Sequence, residues 1–296
     1  MHAPSAAAAS LMLTPLPAGT TLGPVSLTVS DLDRALEYYQ RRIGLRLHAR
    51  DGDAARLGVG GPDLLVLTEV PGARHPHRTT GLYHFAILLP ARDALARTLQ
   101  HLVDTRTPLQ GLSDHLVSEA IYLADPDGNG IEIYRDRPRS TWTYEDGALR
   151  MTTEPLDVDN LMAEVAGRDI PWTGLPAGTT IGHIHLHVAD IAQAEHFYRD
   201  ILGFDITTRY GPSASFVSAG GYHHHVGLNT WAGVGAPPPP PGSVGLRYAT
   251  IQLPTPESLD RVVERVRAAG VLIEQRDDDV LVRDPSANAL LLTAAR

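Results

Sequence analysis

The chain repeats itself, and this limits the folds open to it more than any other feature. Thr14-Pro-Leu-Pro-Ala-Gly-Thr-Thr-Leu-Gly23 returns as Thr173-Gly-Leu-Pro-Ala-Gly-Thr-Thr-Ile-Gly182, 159 residues on. The same offset carries Val29, Asp31, Ala35, Tyr39 and Gly44 onto Val188, Asp190, Ala194, Tyr198 and Gly203. Far downstream it carries Asp125, Pro126 and Asn129 onto Asp284, Pro285 and Asn288. A repeat sustained over this span means two copies of one structural unit. The expected bounds are 20–136 and 180–296, joined by 137–179, and 296 residues suit two domains.

Each copy divides again. Segments 22–29 and 181–188 alternate as strands do. Each leads through an Asp into a helical stretch, 32–43 or 191–202, that stops at Gly44 or Gly203, the glycine of a helix C-cap. Strand-like runs then close each first quarter, ending at 64–68 and 225–229. The later quarters open with strands 81–89 and 245–253 and continue with helices 92–103 and 257–269. They end in short strands about an Asp-Pro turn, 121–124 and 130–134 in one, 280–282 and 289–292 in the other. The pattern predicts an α+β chain of four βαβββ modules. In the joining segment one short helix is expected over 157–165, capped by Asp157. Five consecutive prolines, 237–241, read as a stiff surface loop.

Composition narrows the chemistry. There is no cysteine, which excludes a disulfide framework, a thiolate metal site and a cysteine nucleophile. A net charge of −9, from 25 Lys+Arg against 34 Asp+Glu, argues against a nucleic-acid binder. No apolar run reaches the roughly 18 residues a membrane span needs, and 1–10 is alanine-rich without the basic start of a signal peptide. A cytoplasmic protein is expected. Any metal would be held by nitrogen and oxygen, and the chain has 14 histidines.

Comparing the quarters position by position exposes a candidate site. His84 of the second quarter corresponds to Tyr248 of the fourth, His183 of the third to Pro24 of the first, and Glu132 of the second to Leu291 of the fourth. Ionisable residues in one pair of quarters and non-ligating ones in the other describe one live site and one that has lost its function. Two neutral imidazoles and one carboxylate on one side of an octahedral divalent metal leave three positions open, the arrangement of non-haem Fe(II) oxygenases. Because these three residues span the two halves, the second quarter must pair with the third, and the first with the fourth.

At these residues the chain resembles the vicinal oxygen chelate superfamily, which includes glyoxalase I, extradiol ring-cleavage dioxygenases and bleomycin- and fosfomycin-resistance proteins. The resemblance is carried by Gly182-His-Ile-His-Leu-His-Val-Ala-Asp190 with Phe197-Tyr198 and Leu202-Gly203-Phe204, and by Asp125-Pro-Asp-Gly-Asn-Gly-Ile-Glu132. It covers about 20–136 and 180–296 and implies two paired open barrels. Within the superfamily, the stretches 219–231 and 114–122 look like the two-domain catechol 2,3-dioxygenases of the Bacillus type.

The resemblance implies extradiol cleavage of catechol by O₂ to 2-hydroxymuconic semialdehyde, with Fe(II), or Mn(II), held by His84, Glu132 and His183. Tyr122, ten residues before Glu132, matches the family's tyrosine and would hydrogen-bond the substrate oxygen. A final strand is expected to carry His223, His224 and His225; His224 aligns with the family's acid–base histidine, with His225 as the alternative. His115 is either a residue that stabilises bound oxygen or a surface loop histidine. His185 and His187 would line the pocket, while His75 and His77 read as solvated. Glyoxalase I has a glutamate ligand where this chain has Gly227. In the better-known two-domain extradiol enzymes all ligands come from the second half, which is not available here. The partners implied are a catecholic small molecule and O₂, with no nucleic acid and no membrane; self-association is left open. Two other readings share the fold: a metal-dependent isomerase or lyase of the glyoxalase type, and a binding protein without turnover.

Overall fold

The computed structural model describes residues 14–295; the alanine-rich start, 1–10, lies outside them. The four quarters appear in order. The first has β1 (Thr21–Val29), α1 (Leu32–Tyr38), β2 (Arg46–Asp51), β3 (Ala54–Gly58) and β4 (Asp63–Glu69); the second has β5 (Gly81–Leu88), α2 (Arg92–Asp104), β6 (Gly111–Asp114), β7 (Ser118–Ala124) and β8 (Gly130–Asp136). The joining segment forms a small hairpin of β9 (Tyr144–Glu145) and β10 (Ala148–Leu149), then β11 (Glu154–Pro155) and α3 (Val158–Met162). The third quarter has β12 (Thr180–His187), α4 (Ile191–Glu195), β13 (Asp205–Tyr210), β14 (Ala214–Ser218) and β15 (Val226–Asn229); the fourth has β16 (Gly245–Leu253), α5 (Pro256–Ala268), β17 (Ile273–Arg276), β18 (Asp279–Arg283) and β19 (Ala289–Ala294).

Local chemistry explains the repeated signals. Asp31 and Asp190 stand in extended backbone and accept from the N–H of Arg34 and Gln193, so each starts its helix. Both helices loosen into a π-helical turn, 39–43 and 196–202, and stop at Gly44 (φ 90°) and Gly203 (φ 95°). At Gly44 a β-carbon would also meet Trp172 and Gly174. The Asp-Pro turns lock these helices to the hairpins. Buried Asp125 accepts from Tyr39 Oη at 2.9 Å and from the N–H of Asp127 and Asn129; Asp284 accepts from Tyr198 Oη at 3.2 Å and from the N–H of Ser286 and Asn288. The motif shared by both halves is therefore structural.

The quarters pair across the halves. A nine-stranded sheet runs β11-β6-β7-β8-β5-β12-β15-β14-β13, from the second and third quarters and one strand of the joining segment. An eight-stranded sheet runs β17-β18-β19-β16-β1-β4-β3-β2, from the first and fourth. Each sheet is seamed by an antiparallel pair of opening strands, β5 with β12 and β1 with β16. Each opening strand has its own module's last strand parallel on its other side. The repeated leaders cross over reciprocally: Leu16 N–H donates to Gly203 O at 2.7 Å, and Leu175 N–H to Gly44 O at 3.0 Å. The helix of the joining segment is shorter than expected but starts where expected, with Asp157 accepting from Asn160 N–H. Arg92, at the start of α2, holds it through Asn160 Oδ1 at 2.8 Å and Glu164 at 3.0 Å.

Candidate active site

The seam of the nine-stranded sheet brings the three candidate ligands together. His84 and His183 come from β5 and β12, and Glu132 from β8, opposite Ala86. All three are buried: His84 is 6% exposed, Glu132 2% and His183 1%. Glu132 Oε2 lies 3.0 Å from His183 Nε2 and 3.1 Å from His84 Nε2. The first contact is a hydrogen bond. The second is not aligned as one, and His84 Nε2 is a buried nitrogen with no hydrogen-bond partner. Two ligand atoms bound cis to one octahedral ion at about 2.1 Å lie about 3 Å apart. The donor set, the spacing and the orphaned nitrogen all suit a divalent metal.

Charge states agree. Burial alone would raise the Glu132 pKa, but the His183 and His84 rings beside it hold the carboxyl well below the usual range. Burial takes His183 down to about 4, against the pull of Glu132. Glu132 is thus ionised and His183 neutral at neutral pH, the forms in which carboxylate and imidazole bind metals. A second trio, His183, His223 and His224, is also within metal-holding reach, but His223 is committed elsewhere. Its Nε2 lies 2.9 Å from Asp136 Oδ1 and its Nδ1 2.8 Å from His224 Nδ1. With Asp136 accepting, His223 Nε2 carries the proton, His223 Nδ1 accepts from His224 Nδ1–H, and His224 Nε2 keeps its lone pair. Burial holds the His224 pKa well below its ordinary value.

Residues 223–225 form a bend before β15 rather than part of the strand, so their side chains do not alternate as strand neighbours would. Gly227, at the position in β15 that Glu132 holds in β8, lies opposite His185. A β-carbon on Gly227 would stand 2.8 Å from Cγ of the His185 ring, so no fourth carboxylate fits there.

A cavity of about 320 Å³ opens beside the triad, lined by His84 and Glu132 together with Tyr122, His115, His185, His224, Phe216, Tyr83 and Trp231. Tyr122 stands directly opposite Glu132 across the β7–β8 pair. His115 Nδ1 is 2.6 Å from Thr152 O, so it carries the proton, and His115 Nε2 accepts from Tyr122 Oη at 2.7 Å. Burial, then the charge of Glu132, keeps Tyr122 protonated. Its proton faces His115, and its oxygen has lone pairs to offer a neighbour. His185 is 4% exposed and its Nε2 has no partner. His187 is taken by Asn229 Oδ1 at 2.7 Å, and His75 and His77 are exposed.

Sequence reasoning did not find the partners of these groups. Asp136 was accessible to it, since Glu132, Tyr134 and Asp136 share one face of β8 by the two-residue period of a strand. Thr152 and Trp231 reach the site from irregular segments that no periodicity marks.

The family model described as the Glyoxalase/Bleomycin resistance protein/Dioxygenase superfamily matches residues 21–133 and 180–283. A catechol-2,3-dioxygenase of Bacillus subtilis (strain 168) is 49% identical over 277 residues, covering 92% of this chain and 96% of its own. Among solved structures, glyoxalase I from Zea mays superposes with a TM-score of 0.57 at 16% identity, covering 93% of this chain and 92% of its own. The cppA protein from Streptococcus pneumoniae TIGR4 gives 0.53 at 10% identity, covering 93% of this chain and 99% of its own. At these identities the two structures speak to the fold alone. Among the described residues no helix is long and apolar enough to cross a membrane.

Proposed function

The chain belongs to the glyoxalase/bleomycin resistance protein/dioxygenase superfamily, and from that premise we propose that it is a cytoplasmic extradiol dioxygenase that cleaves catechol with O₂ to 2-hydroxymuconic semialdehyde. The reading treats 20–136 and 180–296 as two homologous domains that build one site between them. The observation that carries it is the convergence of His84, Glu132 and His183, beside a cavity that Tyr122 and His224 also line. The 49% identity to a catechol-2,3-dioxygenase supports the reaction class.

His84, Glu132 and His183 would hold Fe(II), or Mn(II), which take the same ligands. Such an ion would supply Lewis-acid activation of a diol and of O₂. His224, neutral and with Nε2 unprotonated in the Asp136–His223–His224 chain, takes the proton of one phenol hydroxyl and returns it later as an acid. Tyr122 accepts a hydrogen bond from the second hydroxyl while its own proton faces His115 Nε2. A proton can therefore leave the substrate as Tyr122 passes its own to His115. Tyr83, Phe216 and Trp231 wall the cavity with rings suited to an aromatic substrate.

An oxygen electrode with catechol tests the reading. The protein should consume O₂ and form a yellow product with Fe(II) or Mn(II), and neither after chelation. Turnover of a thiohemiacetal with Ni(II) or Zn(II), with no O₂ uptake from catechol, would instead indicate glyoxalase-type chemistry; metal binding without either reaction would indicate a binding protein.

A further inference from the structure

A second cavity, of about 770 Å³, is lined by β1, β16, β17 and β18 of the eight-stranded sheet together with the loop residues 75–80, 231–233 and 239–244 and His187 of the other sheet. Its lining differs from that of the first at the positions where the two sheets can be compared. Strand register relates the two sheets residue by residue. Tyr83 of the first cavity corresponds to Arg247, His84 to Tyr248, Ser113 to Arg276 and Tyr122 to Leu281, and all eight of these residues line their respective cavities. Arginines stand where Tyr83 and Ser113 do in the first cavity, a tyrosine where His84 does, and a leucine where Tyr122 does. Arg78 and Arg283 complete a set of four, and no aspartate or glutamate lines the space, in a chain with nine excess negative charges.

Two of the four guanidinium groups are uncommitted. The side chains of Arg78 and Arg247 form no hydrogen bond or ion pair with the described residues, and that of Arg283 donates only to Ala287 O, at 3.1 Å. Arg276 alone has a carboxylate, Glu274, at 2.7 Å. Guanidinium groups read carboxylates in paired hydrogen bonds. The same cavity is also lined by Tyr248 and by the indole of Trp231, 49% exposed and the one side chain that lines both cavities. The volume falls in the usual range of small-molecule sites.

We propose that this second cavity binds a small aromatic carboxylate, its acid group on Arg78 and Arg247 and its ring against Tyr248 and Trp231. The site is separate from the metal centre and does not depend on the reaction assigned to that centre.

Calorimetric titration of the full-length, metal-loaded protein with phthalate tests it. Phthalate should bind, and the neutral phthalamide should bind at least about tenfold more weakly. The R78A/R247A double variant should lose about tenfold or more of the phthalate affinity while keeping wild-type metal content and catechol turnover. Phthalate that ligates the catalytic metal instead would bind the double variant as it binds the wild type, and that result overturns the proposal. So does a wild type that does not bind phthalate. Inorganic phosphate should not compete; equal binding of phosphate would overturn the aromatic-acid assignment.

Discussion

In one sheet Tyr122 stands opposite Glu132 across an antiparallel pair; in the other the same register sets Leu281 opposite Leu291. The seams match in the same way, with His185 opposite His84 in one and Ser26 opposite Tyr248 in the other. What both sheets keep is scaffold: the Asp125 and Asp284 turns, the Tyr39 and Tyr198 contacts to them, and the glycine caps at Gly44 and Gly203. What only one keeps is a set of buried ionisable groups. Burying such groups is costly unless each has a partner, so their presence at one seam and absence at the other supports the proposed division between residues that fold the chain and residues that act.

The widest gap between the sheets is expected at the ligand position. Glu132→Ala should lose the bound metal and lower catechol turnover by about a thousandfold or more, the several kcal/mol a metal contributes to a transition state. Leu291→Ala, at the matching position, should keep metal and rate and lower Tm modestly. Metal analysis and steady-state rates on the two variants break the comparison if they behave alike.

At the turns the sheets should respond equally. Asp125→Ala and Asp284→Ala each strand several buried donors and should cost about 2–4 kcal/mol in urea unfolding. A loss confined to one turn would mean that the shared motif has diverged in role.

Tyr122→Phe removes a hydroxyl and leaves the ring. Turnover should fall roughly tenfold to a hundredfold with metal content unchanged, because once Tyr122 has passed its proton to His115 and taken the substrate's, its hydroxyl donates to the charged oxygen left behind, a bond of about 1.5–3 kcal/mol. Wild-type kcat/KM with a shifted Tm would make Tyr122 a packing residue.

The smallest effect is in acid. Burial takes His225 from 6.5 to about 3. The unfolded chain binds this proton below pH 6.5 and the folded chain does not, so stability is lost as pH falls from 6.5 toward 3. His225→Gln should flatten that loss by about 1–2 kcal/mol at pH 5. An unchanged slope in urea unfolding at pH 7 and pH 5 would remove His225 from the acid response.

Much of this architecture was legible because the chain states it twice. The offset of 159 aligned the caps, the turns and the opening strands of the first and third quarters, and comparison of the quarters at His84, Glu132 and His183 marked the proposed metal site. The sequence hides what depends on irregular backbone. The bend at 223–225 breaks strand alternation, so the Asp136–His223–His224 chain follows from no period. The pairing of His115 with Tyr122 depends on Thr152, in the segment joining the halves, which has no counterpart elsewhere in the chain to align it with.

Anomalous diffraction at the iron edge, from crystals of protein loaded with Fe(II) under anaerobic conditions, tests the central claim most directly. The account predicts one strong peak, about 2.0–2.3 Å from His84 Nε2, His183 Nε2 and a Glu132 oxygen. A peak held by His183, His223 and His224, or one in the eight-stranded sheet, would contradict it.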